Sequence, residues 1–476
     1  MKKTISGVLL ALSAVFALVA CGKKKTKVTT KAIPAGNGQT IQFYCWNNEF
    51  QSRFRKYYGD TTNVTEEIDI LGDGTKVQWT MVANEGGAYQ TALDAALEAG
   101  NCDMFCFEAD YAKKYVESDY VVNLDDLGVD QSKQYDYTVD AVTNASGDVV
   151  GSSWQACPGA IAYNETVAKA LFKKYAAETA YAGGYSIDNM ATLLNDRDTY
   201  DDVAADLEGM GPKYAMMIGP ADWYRVYGNN LSAKMYNKTA KTITVDKNIF
   251  KYANDTKAYD EAGYLLGDNS TYGLWGKTWG ANMAADTNAL TLYVCPWFTD
   301  FSLKENCPAD EDGASPWRVV EGYASWFWGG TWLAATNKGI ENADKKKSIT
   351  DIIKKMTTDK ATLRAISDGE LDFTNNEEAM NAKAADAKVS NDYFGGQNVY
   401  AIYAESVVNA TLEFASDYDQ QITENFQKYF LPYIQGTDTA KACWAEFVKS
   451  MGQVNKNLTV SAAEGVDVTG NDIVFN

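Results

Sequence analysis

The chain has 476 residues, of which 46% are hydrophobic and 22% charged, with a formal net charge of −20 and no histidine. This length exceeds what one hydrophobic core holds, so a globular protein of two lobes is expected. The acidic excess disfavours nucleic acid and polyanions as partners, and the lack of imidazole excludes Ser-His-Asp and Cys-His catalysis and histidine-ligated zinc.

The first segment of the chain is typical of an export signal. Lys2 and Lys3 precede a short apolar run over 8–19, which leads through Ala20 to Cys21. The run is shorter than the ~20 residues that a membrane-spanning helix needs, so residues 1–20 are predicted to be a signal peptide. The Leu-Val-Ala-Cys ending resembles the lipobox of bacterial lipoproteins, which implies cleavage before Cys21 and a lipid on its sulfur. An ordinary signal peptide with a coincidental cysteine is the alternative.

A flexible tether is predicted to follow. Residues 22–31 are polar and rich in lysine, and they show no apolar periodicity, so they cannot bury enough surface to fold. We assign 21–37 to a lipid-anchored tether whose lysines would lie near anionic headgroups. No later run is apolar over ~18 residues. The expected location is extracytoplasmic, on the outer face of the bacterial cell membrane.

Strands and helices then alternate along the chain. Short apolar runs predict strands over 41–46, 77–82 and 104–107, and apolar residues at helical spacing predict helices over 49–58, 89–100 and 111–117. This alternation indicates crossover connections and a mostly parallel sheet.

A similar alternation restarts after Trp154. It predicts strands over 160–163, 214–218 and 290–294, and a helix over 165–177. The middle of the chain, 181–279, is rich in Tyr, Gly, Asn and Asp and gives only weak signals. From 345 onward the pattern is mainly helical. The fold class predicted from these elements is α/β.

The loops that follow the first three strands carry the first candidate binding residues. In open α/β sheets, ligands bind beyond the carboxyl ends of the strands. Each of these loops offers an aromatic ring, a carboxylate or an amide, which is the mixture that a sugar needs for stacking and for its hydroxyls. The candidates are Trp46, Asn48, Glu49, Tyr89, Glu108 and Asp110.

Aromatic residues beside polar groups or glycine recur in four later clusters. The candidates there are Trp154, Asp222, Trp223, Trp297, Asp300, Trp326 and Trp328. The alternative that each tryptophan belongs to a hydrophobic core stays open, and Trp326 and Trp328 alternate with their neighbours as residues of a strand do. The acidic run at 310–313 lacks the remaining ligand spacing of a calcium loop and is interpreted as a solvated turn.

Cysteine usage gives no cofactor site. Of eight cysteines, Cys21 is assigned to lipid, and the remaining seven cannot all pair internally. Cys295 and Cys307 bracket one loop and are the best candidates for a disulfide. No CxxC pair supports a thiolate metal or redox site, so no cofactor and no metal are expected.

Four segments of the chain resemble the family 1 extracellular solute-binding proteins, the receptors of bacterial ABC importers for sugars and oligosaccharides. They are 40–50 (TIQFYCWNNEF), 102–111 (CDMFCFEADY), 157–164 (CPGAIAYN) and 328–332 (WGGTW). The resemblance implies the two-lobed periplasmic-binding-protein type II fold, with hinge strands between discontinuous lobes. We place one lobe at 38–155 plus 325–392 and the other at 156–324 plus 393–476.

The resemblance also bears on individual positions. Hinges are expected near 154–159, 322–326 and 393–398. Tyr163, in the third resembling segment, and Gln397, in the last hinge, complete the set of candidate binding residues. The excess length falls within 181–279, so residue roles there do not carry over from the family.

The function predicted is that of a non-catalytic monomeric receptor. A sugar would bind in the cleft between the lobes, and the closed form would deliver it to the permease subunits of an ABC transporter. Two alternatives remain: a receptor for polyamines or peptides, given the acidic chain, and a secreted glycoside hydrolase that uses two carboxylates. Glu108 with Asp110, or Glu49 with Glu85, would be the candidate pairs of such an enzyme.

Overall fold

The computed structural model describes residues 34–178, 184–211, 213–221, 223–266 and 273–476. The predicted signal peptide, Cys21, most of the tether and Asp222 lie outside these ranges. Among the described residues, no helix has both the length and the apolar character needed to cross a membrane.

The described strands form four sheets. They are β1 (Thr40–Cys45), β2 (Thr61–Thr65), β3 (Ile68–Leu71), β4 (Lys76–Met81), β5 (Met104–Glu108), β6 (Ser152–Ser153), β7 (Ala160–Asn164), β8 (Ala215–Met217), β9 (Tyr236–Asn237), β10 (Thr242–Val245), β11 (Ala289–Val294), β12 (Trp317–Val320), β13 (Thr331–Ala335), β14 (Thr459–Ala462), β15 (Val466–Asp467) and β16 (Val474–Phe475).

Helices cover the sheets and make up most of the C-terminal third of the chain. They are α1 (Glu49–Tyr57), α2 (Ala88–Glu98), α3 (Ala112–Val116), α4 (Asp136–Asp140), α5 (Glu165–Glu178), α6 (Ile187–Leu194), α7 (Arg197–Gly209), α8 (Tyr224–Gly228), α9 (Lys247–Glu261), α10 (Lys277–Ala281), α11 (Lys304–Asn306), α12 (Ala343–Thr357), α13 (Lys360–Glu370), α14 (Glu377–Ala384), α15 (Val399–Ser406), α16 (Asp419–Ile434) and α17 (Ala440–Val454).

The first sheet has seven strands in the order β2-β3-β4-β1-β5-β13-β6. Its centre is parallel, because β1 pairs in parallel with both β4 and β5. The other pairs are antiparallel, including the pair between β5 and β13, which lie far apart in the sequence. The prediction of a mostly parallel sheet is therefore wrong for the first sheet: the alternation of strands and helices describes β1, β4 and β5, but it carries no information about strands that join from elsewhere.

Side-chain periodicity explains how α1 packs on this sheet. Alternate residues of β1 are buried, and Phe50 and Phe54 of α1, four residues apart, pack on the same side. Phe43 stacks on Trp79 of β4 with ring centroids 4.5 Å apart. This packing fixes the first turn of α1, and with it the Trp46 to Glu49 segment, at the end of β1.

The second sheet has four strands in the order β12-β7-β11-β8. Every residue of β7 and β11 is buried, as is typical of strands covered on both faces. The chain passes from the first sheet to the second over 154–159 and returns over 321–330. These two connections bond to each other, because the Gly159 N–H donates to the Trp326 carbonyl at 2.7 Å and the Trp328 N–H to the Cys157 carbonyl at 3.0 Å.

Most of the predicted elements are confirmed within one or two residues at each end, and three details differ. The hairpin of β2 and β3 is not predicted, because its Thr- and Asn-rich first strand leaves one face exposed and shows no apolar alternation. The alternation at 325–328 does not form a strand and makes only one isolated bridge, between Pro158 and Phe327. Cys295 and Cys307 are both buried with free thiols, so the suggested disulfide is absent.

Candidate functional site

Two tryptophans that follow strands of different sheets form the centre of the candidate site. Trp297 comes after β11 and Trp328 precedes β13, and their ring centroids lie 5.3 Å apart in an edge-to-face arrangement. The Trp297 indole N–H donates to the Trp328 carbonyl at 2.8 Å, which fixes the orientation of the ring. Trp328 is buried, whereas Trp297 is half-buried. We call these two residues the inner wall.

A glycine brings the inner wall next to a carboxylate. Gly329 has φ of +71°, a left-handed conformation that glycine adopts without strain. A Cβ at this position would lie 3.4 Å from Nε1 of Trp297 and 3.5 Å from Oε1 of Glu108. Glu108 is the last residue of β5 and pairs in register with Thr331 of β13. The Trp297 ring and the Glu108 carboxyl therefore both border Gly329, close to where β13 pairs with β5.

The environment of Glu108 favours its protonated form. Burial raises the pKa of its carboxyl well above the ordinary value, Asp110 raises it further, and the Arg225 guanidinium acts in the opposite direction. Glu108 as a whole residue is half-buried. A carboxyl group in this state can accept or donate a hydrogen bond, which is what recognition of a hydroxyl requires.

An ion pair beside Glu108 joins segments that follow strands of the first and second sheets. Arg225 of α8, which follows β8 of the second sheet, binds Asp110 with both nitrogens, at 2.6 and 2.8 Å. The same guanidinium lies over the Trp328 ring, 5.4 Å from its centroid. Gln90 of α2 and Gln420 of α16 form a second link at 2.8 Å. The bidentate pair holds Trp328 and Asp110 in one arrangement.

A second acid lies at the end of β1. Glu49 begins α1, and burial raises the pKa of its carboxyl, opposed by Arg53 and by a hydrogen bond from Gln155. Arg53 binds Asp372 at 2.9 Å, and burial raises the pKa of Asp372 to about 7 despite this contact. Arg53 is thus shared among several acids.

The remaining residues of this loop differ in exposure. Trp46 is half-buried and makes edge contacts with Tyr89 and Tyr111, with ring centroids 5.8 and 6.3 Å away. Asn48 is exposed, and its side chain does not cap α1. At the end of β1, Asn48 is therefore exposed, and Trp46 and Glu49 are partly exposed.

Five predicted binding residues lie in the core instead. The side chains of Tyr89, Trp154, Tyr163, Trp223 and Trp326 are almost completely buried. Tyr89 donates to the Cys106 carbonyl at 2.5 Å, Tyr163 pairs with Tyr185 at 3.1 Å, and a Cβ on Gly159 would lie only 2.0 Å from the Trp326 ring. Because protein atoms cover these rings, we leave all five out of the proposed contact surface.

Trp223 illustrates how such a ring is covered. Arg197 of α7 lies 5.0 Å from the centroid of Trp223, 5.4 Å from that of Tyr323 and 5.8 Å from that of Tyr259. Asp201 accepts two hydrogen bonds from Nε of the same arginine, at 2.9 and 3.0 Å. We call this group the Arg197 cage. A cation from the chain itself occupies the aromatic faces.

Two further candidates serve local structure. Asp300 is exposed and pairs with Lys304 at 2.5 Å. The Gln397 side chain accepts from the Val319 N–H and donates to the Val319 carbonyl, both at 2.8 Å, so it completes the edge of β12. Asp222 lies outside the described residues. Among those described, no group of His, Cys, Asp or Glu has the arrangement of a metal site.

The sequence analysis missed two aromatic residues that extend the inner wall. Trp275, 54% exposed, lies 6.2 Å from Trp297 with the rings nearly parallel, and Phe301, 62% exposed, lies 5.8 Å from Trp297. Trp275 falls in the region of weak signals, although a tryptophan two residues after one glycine and directly before another is a usable sign of an exposed turn. Arg225 lies just after the candidates Asp222 and Trp223 in the sequence, but its partner Asp110 lies 115 residues away.

Comparisons with known proteins concern the fold. No protein-family model matches the sequence, and no curated protein matches it. Among solved structures, an extracellular solute-binding protein of family 1 is 17% identical, with 87% of this chain and 99% of that chain covered and a TM-score of 0.68. The ABC transporter-associated binding protein of B. animalis subsp. lactis, in complex with β-1,6-galactobiose, is 18% identical over 89% and 100% of the two chains, with a TM-score of 0.60.

A third similar structure is the sugar-binding protein MalE of Xanthomonas citri, which is 10% identical over 88% of this chain and 97% of that chain, with a TM-score of 0.61. All three proteins align over nearly their whole length, and the sheets and helices described above account for the match. The chain therefore has the two-lobed α/β type II fold of the family 1 extracellular solute-binding proteins.

Proposed function

We propose that this protein is an extracytoplasmic, lipid-anchored receptor that binds a sugar or oligosaccharide between its lobes and delivers it to the permease of an ABC transporter. The observation that carries the proposal is the half-buried Trp297 ring held beside the Glu108 carboxyl at Gly329. An oriented ring next to a polar group that can accept or donate matches the two kinds of surface on a pyranose.

The chemistry of binding follows from these two groups. The apolar C–H face of a sugar stacks on an indole ring, and its hydroxyls pair with Glu108 and with Glu49 or Asn48 at the end of β1. Each buried hydroxyl contributes roughly 0.5–1.5 kcal/mol when it is paired, and an unpaired protein partner costs more. Selectivity between sugars arises from that asymmetry.

Closure of the cleft would couple binding to transport. In our assignment, 38–155 with 325–392 forms one lobe and 156–324 with 393–476 the other, joined through the paired segments near 157–159 and 326–328. A ligand that contacts both lobes shifts a hinge equilibrium toward the closed form, which then docks on the permease. The Asp110–Arg225 ion pair supports this proposal, because it joins elements of both sheets next to Glu108.

The similar structures support a carbohydrate as the ligand. The named partners of two of them are sugars, β-1,6-galactobiose for the B. animalis protein and lacto-N-biose for a binding protein of Bifidobacterium longum. Their identities to this chain are 18% and 12%, so the particular sugar does not carry over.

The two alternatives are less well supported by the site. A glycoside hydrolase needs a second carboxylate free to act with the first, but both oxygens of Asp110 are bound by Arg225. A polyamine receptor would use Glu49 and Glu108 as counter-charges, and the pKa of each is raised by burial, which weakens their charged forms.

A thermal-shift panel tests the proposed function. The mature protein is heated with mono-, di- and oligosaccharides, with spermidine and with short peptides, and a ligand of the folded state raises its melting temperature. We expect a rise with at least one sugar and none with spermidine or peptides. A rise only with spermidine would favour the polyamine receptor, and release of reducing ends from oligosaccharides would refute a non-catalytic receptor.

Lipid anchoring is tested separately. In a bacterial host, the full chain is expected in the membrane fraction, and Cys21→Ser is expected to move it to the soluble extracytoplasmic fraction, because the thiol that carries the lipid is gone. Unchanged fractionation of the variant would contradict the anchor and leave sugar binding unaffected.

A further inference from the structure

We infer that Trp275 and Phe301 form an outer platform for the sugar rings that lie beyond the inner wall, so that the ligand is a linear oligosaccharide of three or more rings. This inference rests on the proposed function and goes beyond it by naming the class of carbohydrate. The rings of the two residues meet edge to face, with centroids 5.8 Å apart.

The exposed fraction of the rings increases from the inner wall to the outer platform. Trp328 is 4% exposed, Trp297 is half-buried, Trp275 is 54% exposed and Phe301 is 62% exposed. Large aromatic rings rarely lie exposed side by side unless they bind something. A cluster of rings that begins beside the half-buried Glu108 and ends in solvent fits a ligand held at one end and extended at the other.

The backbone holds both outer rings in conformations that cost free energy. Trp275 has φ of +66°, a left-handed conformation that is unfavourable for a bulky side chain. Phe301 belongs to the π-helical turn Thr299–Leu303, a rare form that is frequent at functional sites. Two uncommon conformations that expose two neighbouring rings indicate a selected surface rather than a by-product of packing.

Contacts with the inner wall make the platform continuous with the proposed site. Trp275 lies 5.8 Å from Trp328 and 6.2 Å from Trp297, nearly parallel to the latter. Trp279 of α10 is buried and packs edge to face against Trp275, with ring centroids 5.5 Å apart. Phe301 lies 5.8 Å from Trp297, so a sugar chain that extends beyond the inner wall meets Trp275 and Phe301 together.

Charge at the platform favours a neutral ligand. Asp300, next to Phe301, is paired with Lys304 at 2.5 Å. Lys277, two residues after Trp275, is exposed and disfavours a polycation. The surface thus offers apolar ring faces with a slight positive bias, which suits the C–H faces of sugars.

The test compares sugar lengths in matched variants. The probes are disaccharides to tetrasaccharides of the α-1,4-glucan, β-1,4-glucan and β-1,6-galactan series, titrated calorimetrically into the mature protein. Trp275→Asn removes the ring and tolerates the left-handed backbone, Trp275→Tyr keeps a ring, and Phe301→Ala removes the second ring. Phe475→Ala, which removes a ring of β16 that is 45% exposed, is the control.

We expect the wild type to bind a tetrasaccharide of one series about tenfold more tightly than the disaccharide. Trp275→Asn should lose most of this gain while changing disaccharide affinity by no more than about twofold, and Phe301→Ala should lose part of it. Trp275→Tyr should retain much of the gain, and Phe475→Ala all of it. Circular dichroism confirms that each variant is folded.

The platform alone would be overturned if sugars bound without a gain in affinity from chain length. It would also be overturned if that gain persisted in both Trp275→Asn and Phe301→Ala. A change in self-association of these variants, seen by sedimentation with unchanged sugar affinity, would assign the surface to a second copy of the chain and also overturn it. If no sugar binds the wild type, the proposed function fails and the platform fails with it.

Discussion

The Arg197 cage and the inner wall are built from similar residues but differ in the burial of their central tryptophans. Trp223 is fully buried, its faces covered by Arg197 and by Tyr259, whose ring centroid lies 4.9 Å away. Trp297 is half-buried, and no cation among the described residues covers its ring. It borders Gly329, as does Glu108, whose carboxyl has a raised pKa. Both indole N–H groups are satisfied, by the Tyr323 hydroxyl in one case and by a backbone carbonyl in the other.

The difference teaches what turns an aromatic cluster into a binding surface. In the cage, the chain supplies its own cation, which pairs with Asp201 and Asp255, so Trp223 and Tyr259 are buried and the group stabilises the fold. At the inner wall, the corresponding arginine, Arg225, is drawn to Asp110 and covers only Trp328. The rings nearest to solvent stay available for a ligand.

The largest expected effect is on stability at the cage. Arg197→Met leaves Asp201 without its cation, leaves Asp255 with Lys251 alone and uncovers three aromatic faces, so we expect a loss of roughly 3 kcal/mol in the free energy of unfolding. Urea denaturation measures it. Arg364→Met, which breaks an exposed pair with Asp368, should cost less than about 1 kcal/mol. Equal losses in the two variants would contradict the cage as a stabilising unit.

At the inner wall the expected effect is on affinity rather than stability. Trp297→Ala removes the stacking surface, so sugar affinity should fall about 30-fold, which corresponds to about 2 kcal/mol. Calorimetric titration with the sugar found by the thermal-shift panel measures this change. Trp223→Phe is the matched variant: it loses the bond to Tyr323 and some stability, yet should keep the affinity within about twofold. A loss of sugar affinity in Trp223→Phe, with none in Trp297→Ala, would contradict the assignment of sugar binding to the inner wall.

A change in the Asp110–Arg225 ion pair should have an intermediate effect on sugar affinity. Arg225→Lys keeps the charge but loses the bidentate geometry with Asp110 and the flat contact with Trp328, so we expect affinity to fall about tenfold. Small-angle scattering with saturating sugar should still show closure. Arg364→Lys, which alters the exposed pair with Asp368, serves as the matched control and should not change affinity. An unchanged affinity in Arg225→Lys would show that the pair does not position the wall.

The smallest effect concerns pH. The ordinary pKa of an aspartate is about 3.9, whereas burial, opposed by Arg53, raises that of Asp372 to about 7. Because the folded state holds this proton more tightly than the unfolded chain, the contribution to stability is full below about pH 4 and is lost as the pH rises to about 7. Asp372→Asn, which cannot take up this proton, should reduce this fall, measured by urea denaturation at pH 4 to 7. The same pH dependence of the unfolding free energy in the wild type and in Asp372→Asn would contradict the raised pKa of Asp372.

Local patterns in the sequence are enough to predict most of the fold. The alternation in β1 and the spacing of Phe50 and Phe54 in α1 each depend on residues close together in the chain, and both elements are confirmed. The mixed sheet could not be predicted in the same way, because β13 pairs with β5 across more than two hundred residues. The hairpin of β2 and β3 gave no apolar signal.

The site was harder to predict because exposure depends on distant partners. Nothing near Trp223 in the sequence indicates that Arg197 will cover it, and nothing near Trp326 shows that Gly159 will pack on its face. Glu108, Trp297 and Trp328 were selected by the same criterion and do lie together. Trp275 was missed because its exposure depends on a left-handed backbone that propensities do not predict.

A crystal structure of the protein with the sugar that gives the strongest thermal shift tests the central claim most directly. We expect a pyranose ring against Trp297, a hydroxyl bonded to Glu108, and the Arg197 cage unchanged. A sugar held elsewhere, with Trp297 and Glu108 making no contact to it, would contradict the account.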